Sequence, residues 1–281
     1  MYLLSEDKTQ QQTIKEKVSI AGIGLHSGND VQLNLLPAPV DNGIVFKRTD
    51  IEGNPQIKAT VGNVVSTERS TTIGNKNFKI QTVEHLMAAL RAFGIDNIVI
   101  EINSDELPAL DGSAKQYSKL FREAQIVQQN KKRNVFKIKR SFFYKSKDAY
   151  LGIFPSDRFK VNYLLKYNHP VIGTEYFEYV FDKESFIKEI MPARTFGFAE
   201  EVESLKKRGL ALGGSLDNAV LLKDNSVVNE LRFKDEFVRH KVLDLVGDLY
   251  LNGPLIGEII AIRTGHTDNY KINQMIKKRK K

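Results

Sequence analysis

A chain of 281 residues with 41% hydrophobic and 27% charged side chains has room for two ordinary domains or one large one, and its composition is that of a soluble globular protein. The absence of cysteine excludes disulfides, thiolate metal sites and cysteine nucleophiles, and no apolar run is long enough to span a bilayer. Much of the formal net charge of +8 sits in Lys131-Lys132-Arg133 and in the tail Lys277-Lys278-Arg279-Lys280-Lys281, with no helix-turn-helix, finger or RNP-type pattern beside it, so nucleic acid is not the expected partner.

The opening MYLLSEDKTQQQ turns acidic and polar too soon for a secretory signal, and a cytoplasmic location is expected. Residues 17–24 read as a strand leading into the turn-forming Leu25-His26-Ser27-Gly28-Asn29. Val31, Leu33 and Leu35 alternate with polar residues as in a half-buried strand, and residues 43–47 read as a third. Residues 51–77 are short, polar and Thr-rich, an insert. A helix follows with Thr82 as its expected N-cap, a stripe of Val83, Leu86, Met87, Leu90 and Phe93, and Gly94 as its stop. After a strand near 97–102, Ser113 is expected to cap a second helix running to about Ala124. Gln128-Gln129-Asn130-Lys131-Lys132-Arg133 reads as a linker.

Strands are then expected at 136–139, 150–154, 159–165 and 176–181, helices at 183–190 and from about 198 to Gly209, and a strand at 219–222. A long helix, a strand at 256–263, the turn Thr264-Gly265-His266 and a last helix complete the chain. Both halves mix a few strands with about two helices, which points to an α+β protein of two domains, residues 1–127 and 134–281, with helices packed on sheets.

The long helix carries the clearest chemistry. Val238, Val242, Val246 and Leu249 form an apolar stripe, while His240, Asp244 and Asp248 fall at i, i+4 and i+8 on another face. Gly247 costs about 1 kcal/mol relative to Ala there, a hint that another backbone or a ligand approaches closely. A solvated polar face is the alternative. Of the five histidines, His85 follows Glu84, His240 precedes Asp244 by one turn, and His26 and His266 lie in Gly-flanked turns; His169, before Pro170, is expected to cap a strand end. Zinc hydrolysis needs three ligands with an open position, a base and an acid. His85, His240 and Asp244 would supply the ligands, Glu84 the base and His266 the acid. Asp248 would orient His266, and Thr195 would donate to an oxyanion. The chain lacks the His-Glu-x-x-His pattern that would single out zinc.

Several blocks in order, Thr82-Val83-Glu84-His85, Pro108-Ala109-Leu110-Asp111-Gly112-Ser113, Ala193-Arg194-Thr195-Phe196, Gly213-Gly214-Ser215, residues 238–249 and Gly265-His266, resemble the signature blocks of the UDP-3-O-acyl-N-acetylglucosamine deacetylases, the zinc amidases of lipid A biosynthesis. The resemblance spans nearly the whole chain. It implies two similar two-layer domains, each with an insert (about 51–77 and 195–222), and an active site between them. It implies His85, His240 and Asp244 as Zn2+ ligands, with Fe2+ or Co2+ suited to the same set. Glu84 would be the base, His266 the acid paired with Asp248, and Thr195 an oxyanion donor. Lys241 would contact the sugar or diphosphate and Phe196 the sugar ring. Leu25, Val202, Ala211, Gly214 and Ser215 would line an acyl passage. The implied partner is a UDP-linked acylated glucosamine. Residues 66–70 vary within the family, Tyr167 stands where some relatives have Phe, and the dehydratase fusion of some relatives is not expected here. Two other readings stay open: a deacetylase of the same fold acting on another acylated sugar nucleotide, and a non-catalytic metal-stabilised binding protein. The basic tail would aid solubility or make weak contact with anionic lipid.

Overall fold

The computed structural model describes residues 10–280; residues 1–9, which hold most of the N-terminal stretch, and Lys281 lie outside the described residues. The protein is α+β, as the mixed pattern of its sequence implies, and its two larger sheets are built alike. The first orders its strands Val18–Ile23, Asp30–Pro37, Ile98–Ile102, Ile44–Arg48 and Gln56–Lys58. The second orders them Phe142–Lys145, Tyr150–Phe154, Leu255–Ile262, Phe159–Lys166 and Thr174–Val180, with Phe136–Lys137 pairing additionally on Leu255–Ile262. In each sheet the middle strand runs antiparallel to its hairpin neighbour and parallel to the strand on its other side. In each, a helix precedes the middle strand and another follows it. These are α1 (Glu84–Phe93) and α2 (Lys115–Ala124) for the first sheet. For the second they are α5 (Glu236–Tyr250) and α6 (His266–Arg279). The same strand order and sense thus occur twice, although no close repeat is visible in the residues themselves.

Between them lie the short α3 (Lys183–Ser185), continued by a wider turn over Phe186–Ile190, and α4 (Ala199–Lys207). The insert expected at 51–77 is partly regular: Gln56–Lys58 joins the first large sheet, and Val64–Ser66, Thr72–Gly74 and Lys79–Ile80 form a small one. The second insert pairs Phe196–Phe198 with Val220–Lys223, and α4 packs on both.

Four local expectations need correction. The expected linker is a strand, Ile126–Lys132, antiparallel to Gln10–Ile14. Its polar residues are tolerated because this two-stranded ribbon leaves one face to solvent. Phe142–Lys145, hidden among lysines and serines, is a further strand. Thr82 does not cap α1: it adopts a left-handed conformation (φ 61°) and its hydroxyl donates to Glu106 Oε1 at 3.2 Å, leaving Val83 at the N-cap. Ser113 sits one residue ahead of the α2 cap, accepting from the Lys115 N–H at 3.1 Å. His169 closes the turn after Phe159–Lys166, its Nδ1 accepting from the Val171 N–H at 3.3 Å. In the C-terminal tail, Arg279 lies 4.1 Å over the Phe142 ring and Lys280 donates to Asn252 O, so this part folds back onto the protein.

α5 is buried nearly all round, which excludes the solvated-face reading; Val238, Val242, Val246 and Leu249 are core residues, while His240, Asp244 and Asp248 are 2%, 3% and 2% exposed. Its first turn is held from the sheet by Glu175, whose Oε2 accepts from the Val238 N–H at 2.8 Å. Burial pushes this carboxyl up to about 7. Because the folded state raises the pKa above its ordinary value, the group favours folding most below that ordinary value, and this contribution is lost as pH rises through about 7. Glu175→Gln is therefore expected to raise the melting temperature at pH 8 and to give no gain at pH 5, as read by thermal denaturation at both pH values.

Candidate active site

α1 and α5 pack against each other through small residues. A Cβ built on Gly247 would lie 2.0 Å from Glu84 O and 3.1 Å from Ala88 N, so only glycine lets the helices come this close. Here lies the reason for a glycine inside a helix that would otherwise prefer alanine. Gly247→Ala is expected to destabilise the fold by about 1–3 kcal/mol through overpacking, despite its better helix propensity, and to lower metal affinity, measured by denaturant unfolding and metal titration.

The close approach sets the start of α1 beside the middle of α5. His85 Nε2 lies 3.5 Å and His240 Nε2 3.3 Å from Asp244 Oδ1, and the ligating atoms of all three lie within 4.8 Å of one another. All three residues are buried. His240 Nδ1 lies 3.1 Å from Ala193 O, an acceptor, so Nδ1 carries the proton and donates. Burial lowers His240 to about 3, so the ring is neutral and its Nε2 lone pair faces Asp244. Burial works against the charge of Asp244, but its charged neighbours, Lys241 and His266 among them, hold its carboxyl well below the usual range. Burial likewise opposes a charge on His85, which Asp244 nonetheless raises. Asp244 Oδ1 is buried and accepts no hydrogen bond from any described residue. A lone pair and an orphaned carboxylate oxygen facing each other at 3.3 Å suit a cation between them, and two imidazoles with one carboxylate are a normal donor set for a divalent transition metal. The residues fit such an ion.

Around this trio stand further titratable groups. Glu84, in the first turn of α1, accepts from the Thr71 N–H at 3.0 Å through Oε2 and holds Oε1 3.9 Å from His266 Nε2. Burial pushes Glu84 up to about 7. His266 opens α6, and its Nδ1 lies 3.0 Å from Asp248 Oδ2. Burial would lower His266, but Asp248 and Glu84 prevail and raise it to about 9. Asp248 also accepts from the Thr71 hydroxyl (2.5 Å) and from Asn269 Nδ2 (2.9 Å). Lys241 donates to Asp244 Oδ2 at 3.0 Å and lies 5.6 Å over the Phe196 ring, so it faces the cluster.

A cavity of about 150 Å³ over the cluster is lined by Glu84, His85, His240, Lys241, Asp244, His266, Thr195 and Phe196. It shares Leu25, His26, Arg69 and the 195–198 segment with a second, largely apolar cavity of about 300 Å³, which continues between α4 and the 211–216 loop. Val202, Ala211, Gly214 and Ser215 line this second space. The structure therefore brings the site residues expected from the sequence to one cleft and its apolar extension, with Asp248 bonded to His266 and lining neither cavity. His26 lines both cavities and is not one of the clustered ligating residues. The residues that sequence reasoning missed act over long separations: Thr71, Asn269, Arg69, and Glu236, which pairs with Arg194 at 2.9 Å and receives its N–H, fixing the segment whose Ala193 O orients His240. Nothing local to Thr71 or Glu236 marks them.

A sequence model of the family described as UDP-3-O-acyl N-acetylglycosamine deacetylase matches residues 11–278. Among curated proteins, the UDP-3-O-acyl-N-acetylglucosamine deacetylase of Geotalea uraniireducens is 46% identical over 264 residues, covering 93% of this chain and 86% of its own. That of Thermodesulfovibrio yellowstonii is 46% identical over 261 residues (92% and 89%), and that of Thioalkalivibrio sulfidiphilus 43% over 268 residues (94% and 88%). With a match this long, and with the residues of the cleft gathered as described, the chain belongs to the UDP-3-O-acyl N-acetylglycosamine deacetylase (LpxC) family.

Proposed function

We propose that the protein hydrolyses the N-acetyl group of UDP-3-O-acyl-N-acetylglucosamine, releasing acetate and the free amine as a step of lipid A biosynthesis. The observation that supports this best is a buried His-His-Asp trio flanked by a carboxylate and a charged imidazole, opening onto an apolar cavity. In this reading His85, His240 and Asp244 hold Zn2+, with Fe2+ the other candidate. The ion, when bound, acidifies a water and polarises the acetyl carbonyl.

Glu84, whose burial already favours its protonated form, takes the proton of the attacking water. Thr195 lines the cavity where the carbonyl oxygen turns anionic and donates to it. As the C–N bond breaks, the glucosamine nitrogen takes the proton that Asp248 keeps on His266, from Nε2. Lys241 and Phe196 orient the sugar end. Leu25, Val202, Ala211, Gly214 and Ser215 receive the acyl chain, which buries apolar surface worth about 0.8 kcal/mol per CH2. The two similarly built sheets form the two domains, residues 1–127 and 134–281, with the reaction between α1 and α5.

No helix among the described residues is long and apolar enough to cross a membrane. Among the described tail residues, contact with anionic lipid would fall first to Lys277 and Lys278, since Arg279 lies over Phe142 and Lys280 donates to Asn252 O. Purified protein incubated with UDP-3-O-acyl-N-acetylglucosamine is expected to yield one acetate per free amine, followed by mass spectrometry. Intact substrate after incubation of metal-replete protein would overturn the proposal.

A further inference from the structure

Behind the cleft lies a carboxylate that the reaction does not use. Glu106 is 1% exposed, and three polar hydrogens from two segments converge on its oxygens. Oε1 accepts from the His26 N–H at 2.9 Å and from the Thr82 hydroxyl at 3.2 Å. Oε2 accepts from the Ser27 N–H at 2.7 Å, with the His26 N–H shared at 3.1 Å. Charge-assisted bonds of this kind are about twice as strong as neutral ones.

Two arms lead away from this carboxylate. One runs through the 25–27 turn to the wall of the apolar cavity. Leu25 O accepts from the Gly213 N–H and His26 O from the Leu212 N–H, each at 3.1 Å, and His26 Nδ1 accepts from the Ala211 N–H at 3.4 Å. Leu25, His26 and Ala211 all line the cavity. The layers touch without slack: a Cβ on Gly24 would lie 2.5 Å from Glu106 Oε2, and one on Gly213 would lie 2.2 Å from Gly24 O. The other arm is Thr82, two residues ahead of Glu84. Its left-handed backbone (φ 61°) is strained for a β-branched residue and persists only where the surroundings impose it. The hydroxyl–carboxylate bond supplies that constraint.

We infer that Glu106 is a positioning residue that fixes the apolar passage relative to the start of α1, so that one buried carboxylate governs both the placement of the hydrolytic groups and the acceptance of a long acyl chain. The inference rests on the proposed deacetylation, and its test separates the two. Turnover is measured over a series of substrates differing only in O-acyl length, with metal content and unfolding recorded for each variant. Glu106→Gln turns an amide NH2 toward N–H donors and loosens both arms. It is expected to cut kcat/KM for the longest acyl chain by about 10- to 100-fold, the scale that a misplacement of about 1 Å can cost, and to flatten the dependence on chain length. Thr82→Val cuts only the second arm, lowering kcat by one factor at every length while leaving the length dependence and the metal content intact.

A Glu106→Gln enzyme with the length dependence of the wild type, or with the same loss at every length, would overturn the inference. So would an unchanged kcat in Thr82→Val, which decides the matter alone should Glu106→Gln not fold. If the wild type cleaves none of the series, it is the deacetylase reading that fails.

Discussion

Stripping divalent metal with a chelator is expected to abolish hydrolysis, and Zn2+ added back at one equivalent to restore it. The expected loss is on the order of a thousandfold or more, because the ion supplies several kcal/mol of charge stabilisation that no side chain in the cleft replaces. Asp244→Ala makes the same point from the protein side. It removes the oxygen that His85 and His240 both face at 3.5 and 3.3 Å, and with it the partner of Lys241. The variant should retain little metal, read by inductively coupled plasma mass spectrometry, and little activity. Stability follows mass action: an ion bound at a hundred times its Kd adds about 2.7 kcal/mol, so the metal-free wild type should melt below the holoprotein and Asp244→Ala should show no such difference. A fully active preparation with less than a trace of metal per chain would contradict this.

How much of this site can be read from the residues alone follows from how far apart the interacting groups lie along the chain. His240, Asp244 and Asp248 are one helical turn apart, so their common face is visible in the spacing, and the apolar stripe beside them marks the helix. Periodicity says nothing about whether that face is wet. Asp244 is faced by His85 of α1, whose approach depends on Gly247, a residue whose cost hints at the contact without naming the partner, and Asp248 is covered by Thr71 and by His266 and Asn269 of α6. Thr71 and Asp248 are separated by 177 positions and Glu106 and His26 by 80, and hydrogen bonds over such distances leave no local pattern. The same holds for Thr82, where an ordinary capping preference lost to a buried carboxylate. Strands were legible where apolar residues alternate, as in Asp30–Pro37, and missed where packing needs were weak, as in the polar ribbon of Ile126–Lys132. The apolar cavity was reached through family resemblance, because its lining comes from a turn, a helix and a loop that share no sequence signal.

Glu84→Gln is expected to lower kcat by about 10²- to 10⁴-fold with one metal per chain retained, the range that removal of a positioned acid–base group produces. The substitution is nearly isosteric, and the amide oxygen can still accept from the Thr71 N–H that now holds Oε2 at 3.0 Å. Position is kept and proton acceptance is lost. His266→Gln removes the complementary function: the ring whose charge Asp248 maintains disappears, while the trio of ligands is untouched. If the two groups serve one proton path, from water to Glu84 and from His266 to the leaving nitrogen, their effects will not multiply. The double variant should then fall little below the weaker single variant, because groups that act as a unit show strong non-additivity. Independent, multiplying losses would instead show that the proton transfer at the water and the one at the leaving nitrogen do not depend on each other. Loss of metal in Glu84→Gln would make its carboxylate a ligand, contrary to the geometry, in which Oε1 faces His266 at 3.9 Å and Oε2 is taken by Thr71.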